Sequence, residues 1–408
     1  MLKFTELSTN YQCIYVPIKL IYIKVTMLLE NLKVLDFSRA LAGPFATMIL
    51  GDLGAEVIKI EPPNGDETRS WAPILNGESV YYLSINRNKR SIVLDLKKDE
   101  DKEIVYKLVK ESDVVVENFR IGVPEKLGID YNTLRKIKPD IIYCSIKGFG
   151  SKSPYEGKPA YDLLIQALSG LMTVTGEEKS PPIRVAFALF DIIAGLIAAN
   201  SILAAIIERT KTKQGKFIEV SLYDSAIFAM SYIAEIYLLT GKIPRKMGSA
   251  HPSIVPYQAF KCKDGKYISI AITNEKFWAN LCEALDMREL LNDPKFKSNI
   301  DRVTNREILI PILEGKFSER NRDDWLKILE KWDVPCAPVY ELDEVFQDIH
   351  VLSSGILTEI NHSILGKIKL LSYPATFDHE RPKIRIPPPT LGADTLTILK
   401  KLGYTKEK

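Results

Sequence analysis

Histidine is scarce in this 408-residue chain: there are four, and none precedes His251. A histidine-built metal site is therefore not expected. Cysteine is almost as sparse. Cys13, Cys144, Cys262, Cys282 and Cys336 are scattered, with no CxxC pair. That spacing predicts neither a disulfide framework nor a zinc site, and it fits a reducing cytoplasm. An excess of one charge is also missing. The net charge is +3, so nucleic acid is not an expected partner. Residues 13–29 are apolar, but Pro17, Lys19 and Lys24 interrupt them. Neither a bilayer span nor a signal peptide is predicted there, and no membrane partner is expected. Residues 1–27 read as an extension or a misassigned start. There is no internal repeat.

The length suits two domains. From residue 31 onward, short apolar runs alternate with helical ones. Strands are predicted over residues 33–37, 55–61, 91–96, 113–117, 141–146 and 216–222. Helices are predicted over 44–53, 101–111, 192–209 and 223–240. This alternation predicts an α/β fold, with a Rossmann-like large domain built on a parallel sheet. Residues 260–272 form a hairpin turned at Asp264-Gly265, and helices follow near 275–285, 306–317 and 323–331. These place a smaller α+β domain at 241–345. The large domain then comprises 28–240 plus 346–408. The first strand–helix turn, residues 38–44, contains no GxGxxG. NAD binding is rejected on that ground, although Glu61 ends the second strand.

One carboxylate stands out. Asp191 follows the apolar run 182–190, which reads as strand-like, and opens a long apolar helix. The plain reading is an N-cap. The functional reading is a carboxylate nucleophile kept ionised by the helix N-terminus and shielded from bulk water. Two basic clusters lie near strand ends: Asn86 to Arg90 with Lys97 and Lys98, and Glu117 to Arg120 with Lys126. Singly these are ordinary solvated charges. Together they suit a phosphorylated ligand across the carboxyl edge of a parallel sheet.

Several motifs occur in a fixed order: Ala42-Gly43-Pro44; Leu50 to Glu61; Gly65-Asp66 with Arg69; Asn88 to Ser91; Glu117 to Arg120; Lys147 to Gly150; Pro159 to Asp162; Gln166 to Gly170; Gly215 to Glu219; Pro335 to Val339; and Pro388 to Gly392. In this the chain resembles the class III CoA-transferases, the family of formyl-CoA transferase, carnitine CoA-transferase and α-methylacyl-CoA racemase. The resemblance covers roughly residues 28–405. It implies that Asp191 is the nucleophile, that coenzyme A is a substrate and that no metal or redox cofactor is needed. It also implies an interlocked homodimer. The matching CoA contacts are Leu94, Asp95, Leu96, Lys97, Asn118, Phe119, Arg120, Lys126, Pro159, Ala160, Tyr161 and Asp162. Where formyl-CoA transferase has an arginine after the second strand's acid, this chain has Pro62.

In the racemase branch a histidine precedes the aspartate that matches Asp162. Here that position is Tyr161, so a second base is missing. The stretch 248–260 lacks the glycine run that covers the formyl-CoA transferase site. It looks instead like members that pass CoA from succinyl-CoA to a dicarboxylate such as glutarate or itaconate. Arg39, Arg69 and His251 are candidates for holding the acceptor's second carboxylate. A CoA-binding protein without catalysis is the remaining alternative.

Overall fold

The computed structural model describes residues 27–404. The extension expected over residues 1–27 lies, apart from Met27, outside them. Six parallel strands form the central sheet: β1 (Lys33–Asp36), β2 (Glu56–Glu61), β3 (Lys89–Val93), β4 (Val114–Glu117), β5 (Ile142–Lys147) and β6 (Lys216–Ser221). Their spatial order is β3-β2-β1-β4-β5-β6. This is the doubly wound arrangement, whose order reverses between β1 and β4.

The strands are apolar on both faces because helices cover both. Period-two alternation divides them cleanly. Val34, Val57, Val114, Val116, Ile142 and Cys144 join one core. Their neighbours Leu35, Ile58, Val115, Ile141 and Tyr143 join the other. Two helices cover the first face: α1 (Ala42–Asp52) and the long α4 (Leu189–Thr212). They pack closely because α4 presents small residues. A Cβ at Gly195 would stand 2.7 Å from the Ala42 carbonyl oxygen, too near for any side chain. Helix α2 (Asp99–Glu111) and α7 (Thr395–Lys401) cover the second face.

A separate core runs from Val255 to Val334. It fills the space between helices and a three-stranded antiparallel sheet of β7 (Tyr257–Lys261), β8 (Tyr267–Ala271) and β9 (Cys336–Pro338). The chain then returns to the large sheet. Arg385 and Ile386 donate backbone N–H groups to Asn88 Oδ1, and Asp394 accepts from Ser91 N at 3.0 Å.

Three sequence expectations need correction. The strand expected over 91–96 runs over Lys89–Val93 instead, and beyond Leu94 the chain turns away, with Asp95 accepting from Lys97 N. The run 182–190 is not a strand. Val185 N donates to Gln166 Oε1 at 2.8 Å instead of to a neighbouring strand. The helix expected over 223–240 is two, α5 (Leu222–Ala229) and α6 (Ser231–Thr240), bent by 75°. Ser231 takes φ 46° at the break. Leu222, Ser225 and Ala226 of α5 hold to the core, whereas α6 buries no residue. The bend follows from packing, since no Gly or Pro marks it. By length and composition α4 alone among the described helices is apolar enough to cross a membrane, or α5 with α6 if that bent pair is counted as one.

Candidate active site

Where strand order reverses, the carboxyl ends of β1 and β4 part and leave a crevice. An open cavity of about 920 Å³ occupies it. Arg39 to Ala42 follow β1, Asn118 to Ile121 follow β4, and Lys147 to Gly150 follow β5; all line the cavity. Asn118 brackets the first of these turns. Its Oδ1 accepts from Arg39 N at 2.8 Å, and its Nδ2 donates to the Arg39 carbonyl at 2.7 Å. Lys147 is committed elsewhere: it pairs with Glu117 at 3.0 Å and donates to the Phe119 carbonyl at 2.6 Å. It shapes the β4 turn rather than offering a free cation.

The opposite wall holds two carboxylates. Asp162 begins α3 (Asp162–Leu168) and Asp191 lies in the first turn of α4. Asp162 is well satisfied. Its Oδ1 accepts from Phe190 N at 2.8 Å and its Oδ2 from Gln166 Nε2 at 2.6 Å. Asp191 is not the N-cap, contrary to the sequence expectation. Helix α4 starts at Leu189 with Ala188 as the cap, and no side chain caps it there. The first-turn N–H of Phe190 goes to Asp162, so the capping work expected of Asp191 falls to a carboxylate from another helix.

Asp191 is therefore left facing the cavity. Burial, and after it the charge of Asp162, pushes its carboxyl up to about 7. Desolvation and this like charge both work against the full ionisation expected from the helix terminus. Tyr81 shares this wall. Burial and then the charges of Asp191 and Asp162 push its phenol up to about 12, so its hydroxyl keeps its proton.

Of the residues proposed from sequence, the cavity gathers Arg39, Asn118, Phe119, Arg120, Pro159, Ala160, Tyr161, Asp162 and Asp191. Leu94, Asp95, Leu96, Lys97, Lys126, Arg69 and His251 do not line it. Leu94 is buried in the second core, and Lys97 and Lys126 are exposed. Arg69 forms a bidentate pair with Glu61, at 2.7 Å for each contact, and also reaches Tyr82 and the Pro389 carbonyl. His251 stacks on Tyr232 and meets Tyr257 at a tilt of 54°.

Sequence reasoning missed Tyr81, Gln166 and Arg184. Gln166 had a signal, since it lies four residues after Asp162 and shares its helix face. Tyr81 had none. Among the described residues no group of three or more His, Cys, Asp or Glu side chains is placed to hold a metal ion.

The pattern of CoA-transferase family III matches residues 29–395. The chain is 43% identical to a succinyl-CoA:glutarate CoA-transferase of Homo sapiens, over 92% of this chain and 86% of that protein. It is 34% identical to a succinate–glutarate CoA-transferase of Agrobacterium fabrum, over 92% and 95%. Among solved structures, a CAIB/BAIF family protein from Brucella suis superposes with a TM-score of 0.82 at 38% identity, covering 92% of this chain and 99% of that one.

Proposed function

The chain belongs to CoA-transferase family III, and we propose that it passes CoA from succinyl-CoA to a dicarboxylic acid, with Asp191 as the nucleophile. The observation that carries this reading is a cavity-facing carboxylate that accepts no hydrogen bond among the described residues. A carboxylate with a pKa near 7 is about half ionised at neutral pH. Its ionised fraction is a better nucleophile than a well-solvated aspartate, because basicity and nucleophilicity rise together.

The chemistry needs no external proton. An Asp191 oxygen attacks the donor thioester carbonyl, the carbon–sulfur bond breaks, and CoA leaves as thiolate. The thiolate attacks the Asp191 carbonyl of the resulting anhydride. That breaks the carbon–oxygen bond to the donor acid and leaves an aspartyl-CoA thioester. The acceptor carboxylate attacks this thioester and releases the thiolate. Finally the thiolate takes the acceptor acyl group and restores Asp191. Anhydride and thioester have comparable group-transfer energies, so the steps are nearly balanced. Apolar walls, Phe45, Ile146 and Ile192 among them, would limit hydrolysis.

In this reading CoA lies along Asn118 to Arg120 and Pro159 to Asp162. Lys97 and Lys126, outside the cavity and exposed, are assigned to the distal phosphates. Leu94 has only its backbone to offer. Coenzyme A acts as substrate, and no further cofactor is invoked. The free cysteines suit a reducing compartment, and we assign the enzyme to the cytoplasm. A second copy would cover helix α6, whose Tyr232, Tyr237, Leu238 and Leu239 are exposed. That exposed apolar face supports a homodimer. Proton transfer in the racemase manner also suits a pKa near 7, but no histidine lines the cavity and Tyr161 holds the partner position. The deciding experiment is CoA exchange from succinyl-CoA to a panel of dicarboxylates. Asp191→Ala should lower it by about 10⁴-fold or more. Exchange that survives in the mutant contradicts the assignment, and racemisation at an α-carbon without exchange favours the rival.

A further inference from the structure

Beneath the turn that follows β1 lies a group of charges that the mechanism leaves unused. Asp36, Lys59, Asp66 and Lys89 have side chains at most 1% exposed. They form two ion pairs, Lys59–Asp66 and Lys89–Asp36, each at 2.9 Å. All four bear on residues 38–41 or on the start of α1. Lys59 Nζ donates to the Ser38 carbonyl at 2.7 Å, and Asp36 Oδ1 accepts from Ser38 N at 2.9 Å. Asp66 Oδ1 accepts from Ala40 N at 3.4 Å, and Lys89 Nζ donates to the Pro44 carbonyl at 2.9 Å. Ala40 itself sits at φ 61°, a conformation that favours glycine. A dinucleotide fold shapes this turn with glycines. Here buried charge holds a non-glycine residue in place, at the cost of desolvating four ions.

The turn delivers Arg39 to the cavity. Arg39 is half-buried, and its guanidinium donates no hydrogen bond to any described residue; it lies 5.2 Å from the Phe119 ring centroid. The other cavity arginines differ. Arg120 is exposed, and the exposed Arg184 bonds the carbonyls of Val185 and Ala186. The Arg39 guanidinium thus keeps its planar fork of N–H donors free for a ligand carboxylate in the cavity.

We infer that Arg39 reads the free carboxylate of the dicarboxylic substrate, and that the Asp36–Lys89 and Lys59–Asp66 pairs are positioning residues that set its turn. This rests on the transferase reading. The test compares kcat/KM for glutarate with that for pentanoate, an acid of equal chain length lacking the second carboxylate, using succinyl-CoA as donor. Arg39→Met should lower the glutarate-to-pentanoate ratio at least about tenfold, and Arg39→Lys should retain part of it. Lys59→Met and the isosteric Asp66→Asn should lower the same ratio. Asp52→Asn breaks another buried pair, Arg87–Asp52, away from this turn. It should cost stability and leave the ratio within about twofold.

A purely structural role for the four charges would move stability without moving selectivity. An unchanged ratio in Arg39→Met overturns the recognition. Unchanged ratios in Asp66→Asn and in Lys59→Met, wherever each folds, overturn the positioning. Wild-type protein that transfers CoA to no acid overturns the functional reading itself, and this inference with it.

Discussion

Two carboxylates, Asp36 under the β1 turn and Asp191 in the cavity wall, meet opposite environments. Asp36 is wholly buried yet saturated: Lys89, Thr47 and the Ser38 N–H and hydroxyl all converge on it. Burial alone would raise its pKa, but the charges of Lys89 and Lys59 and the hydroxyl bonds hold it down at about 2. Asp191 has no such partners, and burial with the neighbouring Asp162 takes it up to about 7. The difference is partnership rather than depth. A saturated carboxylate is an inert scaffold; an unpartnered one facing a cavity is reactive.

The largest effect should come from stripping Asp36 of its partner. Lys89→Met leaves a buried carboxylate unpaired and should cost about 3–5 kcal/mol of stability in a denaturant titration. A loss below about 1 kcal/mol would mean that the pair does not hold the fold.

The converse change should stabilise. The folded pKa of Asp191 lies above its ordinary value of 3.8, so the unfolded chain releases this proton at lower pH. Ionisation therefore costs stability, and the cost grows as pH rises from about 4 through 7. Three units amount to roughly 4 kcal/mol, and water in the open cavity reduces this to about 2 kcal/mol. Asp191→Asn should thus be more stable than wild type at pH 8, by about that amount, and the gain should vanish near pH 4. Equal stability at pH 8 would show that Asp191 is better solvated than its surroundings suggest.

Smaller again is the effect of the like charge. Transfer should rise with pH and level off above about 7 as Asp191 ionises. Asp162→Asn keeps an oxygen for Phe190 N but removes the charge, so the midpoint should fall by roughly half to one unit. A midpoint that does not move assigns the whole shift to burial.

Much of the frame was legible because it depends on local pattern. Residues 33–36, 114–117 and 142–147 carry the alternation of a two-sided sheet, and all form strands. The bend at Ser231 was not legible, since neither Gly nor Pro marks it and tertiary packing imposes it. Asp191 was singled out as a carboxylate in an apolar stretch, but its cap role was misread. The bond that decides that point joins Phe190 to Asp162, 28 residues apart in sequence, and no local rule reaches so far. Arg69 is engaged by the buried Glu61, eight residues earlier, a pairing that composition does not reveal.

A covalent CoA adduct on Asp191 can be sought directly. Wild-type protein mixed with succinyl-CoA, without acceptor, should carry CoA as a thioester on the peptide containing Asp191, detected by intact and peptide mass. Hydroxylamine should then convert that residue to a hydroxamate. This adduct is expected in wild type and should be absent in Asp191→Asn. Turnover with no adduct at residue 191, or a CoA adduct on any other side chain, would contradict it.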